Sequence, residues 1–244
     1  MSLRGTTALV TGATSGIGRA VAHRLAESGA EVVVHGRNAE RGGEVVLEIE
    51  RSGGKAHFVA ADLTDSDDIR RLAREAGPVD VLVNNAGVYQ FGTTVDTDVA
   101  VLDDHIGINL RAPYLLVQQL VPGMMGRGGG AVVNISTVAA GVPARGGGIY
   151  GASKAGLELL TRVWADEFGR SGVRVNAVQA GPTKTPGSAA LPGLTGVLGQ
   201  LTTIGRAATP DEIAEAVVFL ASPSASYVNG AILQATGGQV ALAP

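Results

Sequence analysis

Tyr150 and Lys154 stand four positions apart in the run Tyr150-Gly-Ala-Ser-Lys154. On a helix that spacing sets both side chains on one face, one turn apart. A free phenol, with a pKa of about 10, keeps its proton at neutral pH. A neighbouring ammonium favours the phenolate and lowers that value. A tyrosine tuned in this way can give a proton to a carbonyl oxygen or take one from an alcohol. A second chemistry is written after the first apolar run, in Thr11-Gly12-Ala13-Thr14-Ser15-Gly16-Ile17-Gly18. Gly12 permits a sharp turn, Gly16 lets the backbone approach a phosphate, and Gly18 lets helix and strand pack closely. The helix that follows offers unpaired N–H groups and a positive dipole end to a pyrophosphate.

These residues need elements to hold them. Short, nearly continuous apolar runs occur at Thr6–Thr11, Glu31–Arg37, Ala56–Ala60, Val79–Val83, Ala131–Ser136, Val173–Val178 and Ala231–Ala235. They read as strands buried on both faces. Segments with helical spacing separate them: Gly18–Ser28, Ala39–Arg51, Ser66–Ala76, Val99–Met125, Ala152–Phe168 and Pro210–Leu220. The alternation predicts an α/β Rossmann fold, a doubly wound, mostly parallel sheet of about seven strands with helices on both faces. No linker, repeat or low-complexity tract intervenes, so residues 1–244 are expected to form one domain. Ligands of such sheets bind beyond the carboxyl ends of the strands.

Composition removes other classes. The chain is 45% hydrophobic and only 17% charged, with a net charge of −3, which suits a buried core and not a disordered chain. No basic excess drives nucleic-acid binding. No cysteine is present, which excludes disulfides and Cys-based zinc sites, and no metal is expected. Residues 216–244 carry no charge, yet Pro223, Gly230, Gly237 and Gly238 interrupt them, so a spanning helix is not expected. Met1-Ser-Leu-Arg-Gly5 has no export core. A soluble cytoplasmic protein without membrane or nucleic-acid partners is expected.

The motifs recur in one order: Thr11-Gly12-x-x-x-Gly16-x-Gly18, Asn84-Asn85-Ala86-Gly87, Asn109, Ser136-Thr137, Tyr150-x-x-x-Lys154, Gly181-Pro182-Thr183, Gly205-Arg206 and Gly237-Gly238. This series resembles the short-chain dehydrogenases/reductases over essentially the whole chain. The resemblance implies an enzyme that moves hydride between a nicotinamide cofactor and a ketone or secondary alcohol. It implies catalytic roles for Asn109, Ser136, Tyr150 and Lys154, with the carbonyl of Asn109 holding a relay water beside Lys154. It implies cofactor contacts at Gly12, Thr14, Ser15, Gly16, Ile17, Gly18, Arg37, Asp62, Leu63, Asn85, Ala86, Gly87, Gly181, Thr183 and Thr185, and again at Tyr150 and Lys154. Asp62 would take the adenine amino group and the Thr183 backbone the nicotinamide carboxamide.

The family's hydroxyl usually lies thirteen residues before the tyrosine, which points to Thr137. An extra residue before Gly141 could shift the register, and Ser136 is preferred because serine is the usual residue. The hydroxyl is needed to orient the substrate oxygen and support its developing charge. Asn109 is a poor helix residue and marks a kink as well; His105, one turn earlier, is read as structural.

The choice of dinucleotide is read at the end of the second run, His35-Gly36-Arg37-Asn38. An acid there would accept from a ribose 2′-hydroxyl; Gly36 brings none. The Arg37 guanidinium suits a phosphate, which favours NADP, with NAD possible. Ser15 stands where many NADP-preferring members carry a second basic residue. His35 is read as structural or solvent-facing. Ala180 and Thr236 replace the family's usual proline and aspartate.

The resemblance implies that residues 186–205 form a mobile substrate lid; their glycines suit motion, they carry no charge, and Leu191, Leu194, Val197, Leu198 and Leu201 suit an apolar cover. Val88, Tyr89, Phe91, Val138, Val142 and Pro143 are expected to line the same pocket. Such a pocket should not recognise a strongly anionic small acid. A 3-oxoacyl thioester and a secondary alcohol or sugar remain open as substrates. The alternatives are an NAD-dependent alcohol or sugar dehydrogenase and, from another class, a dinucleotide-sensing regulator. The helical stretch Ala152–Phe168 carries two apolar stripes, Leu157-Leu160-Trp164-Phe168 and Ala152-Ala155-Leu159-Val163. One sheet cannot easily cover both, so the second should meet another subunit; the resemblance implies a homotetramer, with a homodimer as the alternative.

Overall fold

The computed structural model describes residues 2–188 and 193–238. The apolar runs form seven strands: β1 (Thr7–Val10), β2 (Glu31–Gly36), β3 (Lys55–Ala60), β4 (Val81–Asn84), β5 (Gly130–Thr137), β6 (Val173–Ala180) and β7 (Ile232–Ala235). All pair in parallel, in the order β3-β2-β1-β4-β5-β6-β7. Parallel neighbours need crossovers. They are supplied by α1 (Gly16–Glu27), α2 (Ala39–Arg51), α3 (Ser66–Glu75), α4 (Val99–Ile106), α5 (Ala112–Gly126), α6 (Gly148–Gly169) and α8 (Pro210–Ala221), with a short α7 (Leu194–Gln200) before the last.

Side-chain alternation divides the core between the two faces of the sheet. Ala8 and Val10 of β1 join α1, α2 and α8 on one face, while Leu9 joins α3, α5 and α6 on the other. Leu9 and Leu82 are wholly buried, so truncating either to Ala would cost about 2–5 kcal/mol. The strand order reverses at β1, which opens a crevice beyond the ends of β1 and β4. Val10 is level with Val34 of β2 and Val83 of β4, so the turns after these strands leave the sheet together.

Three departures from the sequence expectation bear on the site. The helical stretch Val99–Met125 is divided by a π-helical segment, Gly107–Arg111, which contains Asn109. The helix expected to begin at Ala152 begins at Gly148 and so carries Tyr150 as well as Lys154. Within the expected lid, Leu194–Gln200 is helical, while Leu191 lies outside the described residues. Ala180 extends the sheet, paired with Thr137 and Ala235. Among the described residues no helix is long and apolar enough to cross a membrane, and no cluster of His, Asp or Glu is arranged to hold a metal ion.

Candidate active site

Gly12 leaves β1 with φ +63°, and a Cβ on it would lie 2.9 Å from Ala86 Cα. Gly18 has no room for a side chain either: its Cβ would stand 2.3 Å from the Gly12 carbonyl oxygen. The turn is braced from β4. The Thr11 hydroxyl accepts the N–H groups of Asn85 and Ala86, both at 3.0 Å, and the Asn85 amide donates to the Thr11 carbonyl at 2.8 Å. It is braced from β2 as well. His35 Nδ1 accepts the Gly12 N–H at 3.2 Å, and Nε2 donates to the Ala61 carbonyl at 3.2 Å. That pairing requires the neutral ring. Burial enforces it by pulling the imidazole down to about 4. His35 is therefore a buried brace and not a solvent-facing residue.

α1 begins at this turn with Ser15 as N-cap, yet the Ser15 side chain makes no capping bond and the first turn holds no acid. Its leading N–H groups are left for an anion. Every cofactor-contact residue expected from the sequence lines one cavity of about 540 Å³. Arg37, Arg41 and Asp62 stand at its end beyond β2 and β3. A Cβ on Gly36 would press on Thr14 Cγ2 at 2.5 Å, so the strand end disfavours any side chain there, an acid included. Asp62 accepts both the backbone N–H and the hydroxyl of Thr64 at 2.9 Å, and the backbone bond first of all holds its carboxyl below the usual range.

At the other end Lys154 is buried with Nζ donating to the Ile135 carbonyl at 2.8 Å, and burial lowers it to about 8. The Tyr150 ring packs among Tyr89, Phe91 and His105 at centroid distances of 6.3, 6.1 and 6.2 Å. Two expectations change at this point. The Tyr150 phenol is raised, not lowered: burial dominates, and a hydrogen bond with Thr137 only partly offsets it. The Lys154 ammonium is turned to a carbonyl oxygen instead. The second change concerns Ser136, expected as the hydroxyl beside Tyr150. Neighbouring strand residues face opposite ways. Ser136 Oγ donates to the Glu158 carboxylate at 2.6 Å, which also accepts the Gln179 amide at 3.0 Å. That leaves Thr137, which also lines the cavity and acts to lower the Tyr150 phenol, as the hydroxyl free for the reacting centre.

Asn109 projects its amide onto the loop after β4. Oδ1 accepts the Val88 N–H and Nδ2 donates to the Val88 carbonyl, both at 2.9 Å, with a further bond to Ser153 Oγ at 3.0 Å. One turn earlier His105, also wholly buried, donates from Nδ1 to the Val101 carbonyl at 2.7 Å and accepts the Gln90 N–H on Nε2 at 3.2 Å.

Comparison with known proteins identifies the family. A family model described as enoyl-(acyl carrier protein) reductase matches residues 12–239. A solved structure described as a short chain dehydrogenase/reductase family protein superposes with a TM-score of 0.94 at 48% identity, covering 99% of this chain and 100% of that one. The chain belongs to the short-chain dehydrogenase/reductase family. Among curated relatives, the cis-4-hydroxycyclohexanecarboxylate dehydrogenase of Sinomonas cyclohexanicum is 42% identical over 241 residues, 96% of each chain. A 3-oxoacyl (acyl-carrier-protein) reductase of Agrobacterium tumefaciens, solved with NADP bound, has a TM-score of 0.93 at 33% identity, covering 98% of this chain and 95% of that one.

As a short-chain dehydrogenase/reductase the protein is an NAD(P)-dependent oxidoreductase, and its cavity fits such a dinucleotide. The glycine turn faces Thr185 closely enough that a Cβ on Gly16 would touch the threonine at 3.3 Å. The Pro182–Lys184 segment carrying that wall is fixed by backbone bonds with Ala208, at 2.8 and 2.9 Å. Two members of the site escape motif reading. His35 acts on the turn with its ring, which accepts the Gly12 N–H, and Arg41 enters because α2 starts directly behind Arg37.

Proposed function

We propose that this enzyme uses NADP(H) to interconvert a ketone and a secondary alcohol. The observation that carries this is one cavity whose ends differ in chemistry. Tyr150, Thr137 and Lys154 converge at one end; Arg37 and Arg41 stand at the other, with no acid at Gly36. When bound, the dinucleotide supplies or accepts hydride at the nicotinamide ring.

The chain's own residues handle the oxygen. Burial keeps Tyr150 protonated, so in reduction it donates its proton to the carbonyl oxygen. The Thr137 hydroxyl donates to the same oxygen and supports its growing charge. Lys154 lies behind Tyr150 and binds the cofactor ribose, and the Asn109 carbonyl in the π segment holds the water that returns the proton from solvent. The Asn109 side chain keeps the β4 loop in place meanwhile. The described part of the expected lid covers the substrate, with Leu194 and Leu198 of α7 facing the cavity.

The whole chain acts as one domain, and copies of it assemble. On the inner stripe of α6 Leu157 and Trp164 are buried, 3% exposed or less, and Leu160 and Phe168 are partly buried, while Leu159 on the outer stripe is 61% exposed and Val163 40%. The outer stripe supports a homodimer or homotetramer through α6, and a monomeric mass by light scattering at micromolar concentration would reject it.

The reaction is tested with Tyr150→Phe, which keeps the ring and removes the proton. Carbonyl reduction followed by NADPH absorbance is expected to fall by about 10²–10⁴ while NADPH still binds. Near-wild-type turnover would overturn the assignment.

A further inference from the structure

The substrate end of the cavity is walled by rings. Tyr89 and Phe91, from the loop after β4, lean on Tyr150 with interplanar angles of 58° and 73°. Leu194 and Leu198 face them from α7, and Val88 and Val138 complete the wall. Its polar groups are hydroxyls, those of Thr137, Tyr150, Tyr89, Ser188 and Thr195. The charged residues that line the cavity are Arg37, Arg41 and Asp62 at the adenosine end and Lys154 at the reacting centre. Arg145, in the neighbouring 141–147 loop, is exposed and does not line it.

The ring wall is held from behind. The Gly92 N–H donates to the Gly146 carbonyl at 2.9 Å, and Phe91 Cε1 lies 3.6 Å from where a Cβ of Gly147 would be. The Tyr89 hydroxyl sits where a side chain on Gly187 would go, so Gly187 gives Tyr89 its place. His105 holds the Gln90 N–H between the two rings and sets its own edge against Tyr150 at 65°.

We propose that the substrate is an uncharged ring ketone or its secondary alcohol, gripped between Tyr89 and Phe91 in front of Tyr150, with His105 as the positioning residue of that wall. This rests on the assignment of Tyr150 as the proton-transferring group. Aromatic faces and edges give a ring broad contact. A polyol carries more hydroxyls than Tyr89 and Thr195 can partner, since Ser188 Oγ is already bonded to Thr185, and a carboxylate would lose its water with Lys154 turned to the Ile135 carbonyl; both losses are costly.

The test compares 4-methylcyclohexanone with heptan-2-one and 5-ketogluconate as substrates of the purified full chain with NADPH. The ring ketone is expected to exceed the open-chain ketone about tenfold in kcat/KM, and the sugar acid by about a hundredfold or more. Phe91→Ala should collapse the ring-to-chain ratio toward one. His105→Phe keeps an edge against Tyr150 but cannot accept the Gln90 N–H. It should raise KM for the ring ketone and leave kcat near its original value, a split that general destabilisation would not produce. Titration calorimetry of 4-methylcyclohexanone and of heptan-2-one into NADPH-saturated Tyr150→Phe, with and without Phe91→Ala, reads the pocket without turnover. Preference for 5-ketogluconate, or an unchanged ratio in Phe91→Ala, overturns the proposal. If no ketone is turned over yet calorimetry shows the ring preference and its loss with Phe91→Ala, the proton-transfer assignment fails and the ring pocket stands. If calorimetry shows no ring preference, the pocket fails.

Discussion

The two ends of the cavity are built from different materials. The cofactor end is made of backbone: a left-handed Gly12, a Gly18 without space for a side chain, and open N–H groups at the start of α1. The substrate end is made of side chains: rings from one loop, leucines from a short helix, and a hydroxyl at the tip of β5. Backbone recognition constrains residue type at fixed spacing, because only glycine meets the steric demand. Side-chain recognition depends on which way a residue points, and one step along a strand reverses that. The first kind of site tolerates little substitution; the second can be reshaped while the fold is kept.

The sharpest consequence lies at β5. Thr137→Val removes the hydroxyl that meets Tyr150 and keeps the shape, so kcat is expected to drop by about 10²–10³. Ser136→Ala leaves the reacting oxygen untouched. It takes a donor from Glu158, so it should lower stability by about 1–3 kcal/mol with only a small change in kcat. Steady-state kinetics beside urea unfolding separates the two. The reverse pattern, with Ser136→Ala inactive and Thr137→Val active, would mean that orientation along β5 does not set the role.

The same contrast explains what could be read from residues alone. All seven strands were legible as apolar runs, because strands buried on both faces leave a continuous hydrophobic signature. The glycine turn and the Tyr150–Lys154 pair were picked out by spacing and Asp62 by the family resemblance, and the structure brings all of them to one cavity. Ser136 and Thr137 were not separable, since adjacent hydroxyls look alike until the pleat assigns their faces. The raised Tyr150 phenol was hidden because burial by Tyr89, Phe91 and His105 depends on residues distant in the chain. The π segment at Gly107–Arg111 continues the helical spacing on either side of it, so only the Asn at 109 hinted at a break. α7 was missed because Gly196 and Gly199 weaken any helical signal.

The cofactor end has a weakness of its own, because its backbone is fastened by an imidazole that must stay neutral. His35 lies near 4 in the folded chain against an ordinary 6.5, with burial as the main cause and the charge of Arg37 acting the same way. Asp62 and Asp68 face it and pull in the other direction without reversing the shift. The unfolded chain therefore takes up this proton first. The stability tied to the neutral ring is complete above pH 6.5 and is lost as pH falls through about 4. The loss amounts to roughly 3 kcal/mol. Urea unfolding across that window should show a steeper acid decline in the wild type than in His35→Gln, which starts lower but cannot titrate. Equal slopes would show that the brace is not proton-sensitive and that the cofactor end is as sturdy as its glycines suggest.

The smallest expected effect concerns the exposed side chains of the cofactor end. Arg37 and Arg41 are both exposed, so whatever they contribute to a ribose phosphate is screened by solvent and salt. Arg37→Asp removes a cation and sets a carboxylate against that phosphate. NADPH affinity should then fall by about tenfold, or about 1.4 kcal/mol. NADH carries no phosphate there, so its affinity should hold or improve slightly as the new carboxylate meets the ribose hydroxyls. Arg41→Ala should cost less, because Arg37 remains to face the phosphate. Ionic strength supplies the control. Raising salt should narrow the NADPH-to-NADH affinity ratio in the wild type and leave it nearly flat in Arg37→Asp. Fluorescence titration of both cofactors at two salt concentrations reads all of these. If the ratio is unchanged by the substitution and by salt alike, Arg37 does not read the phosphate. Selectivity would then have to come from the backbone that builds the rest of that end.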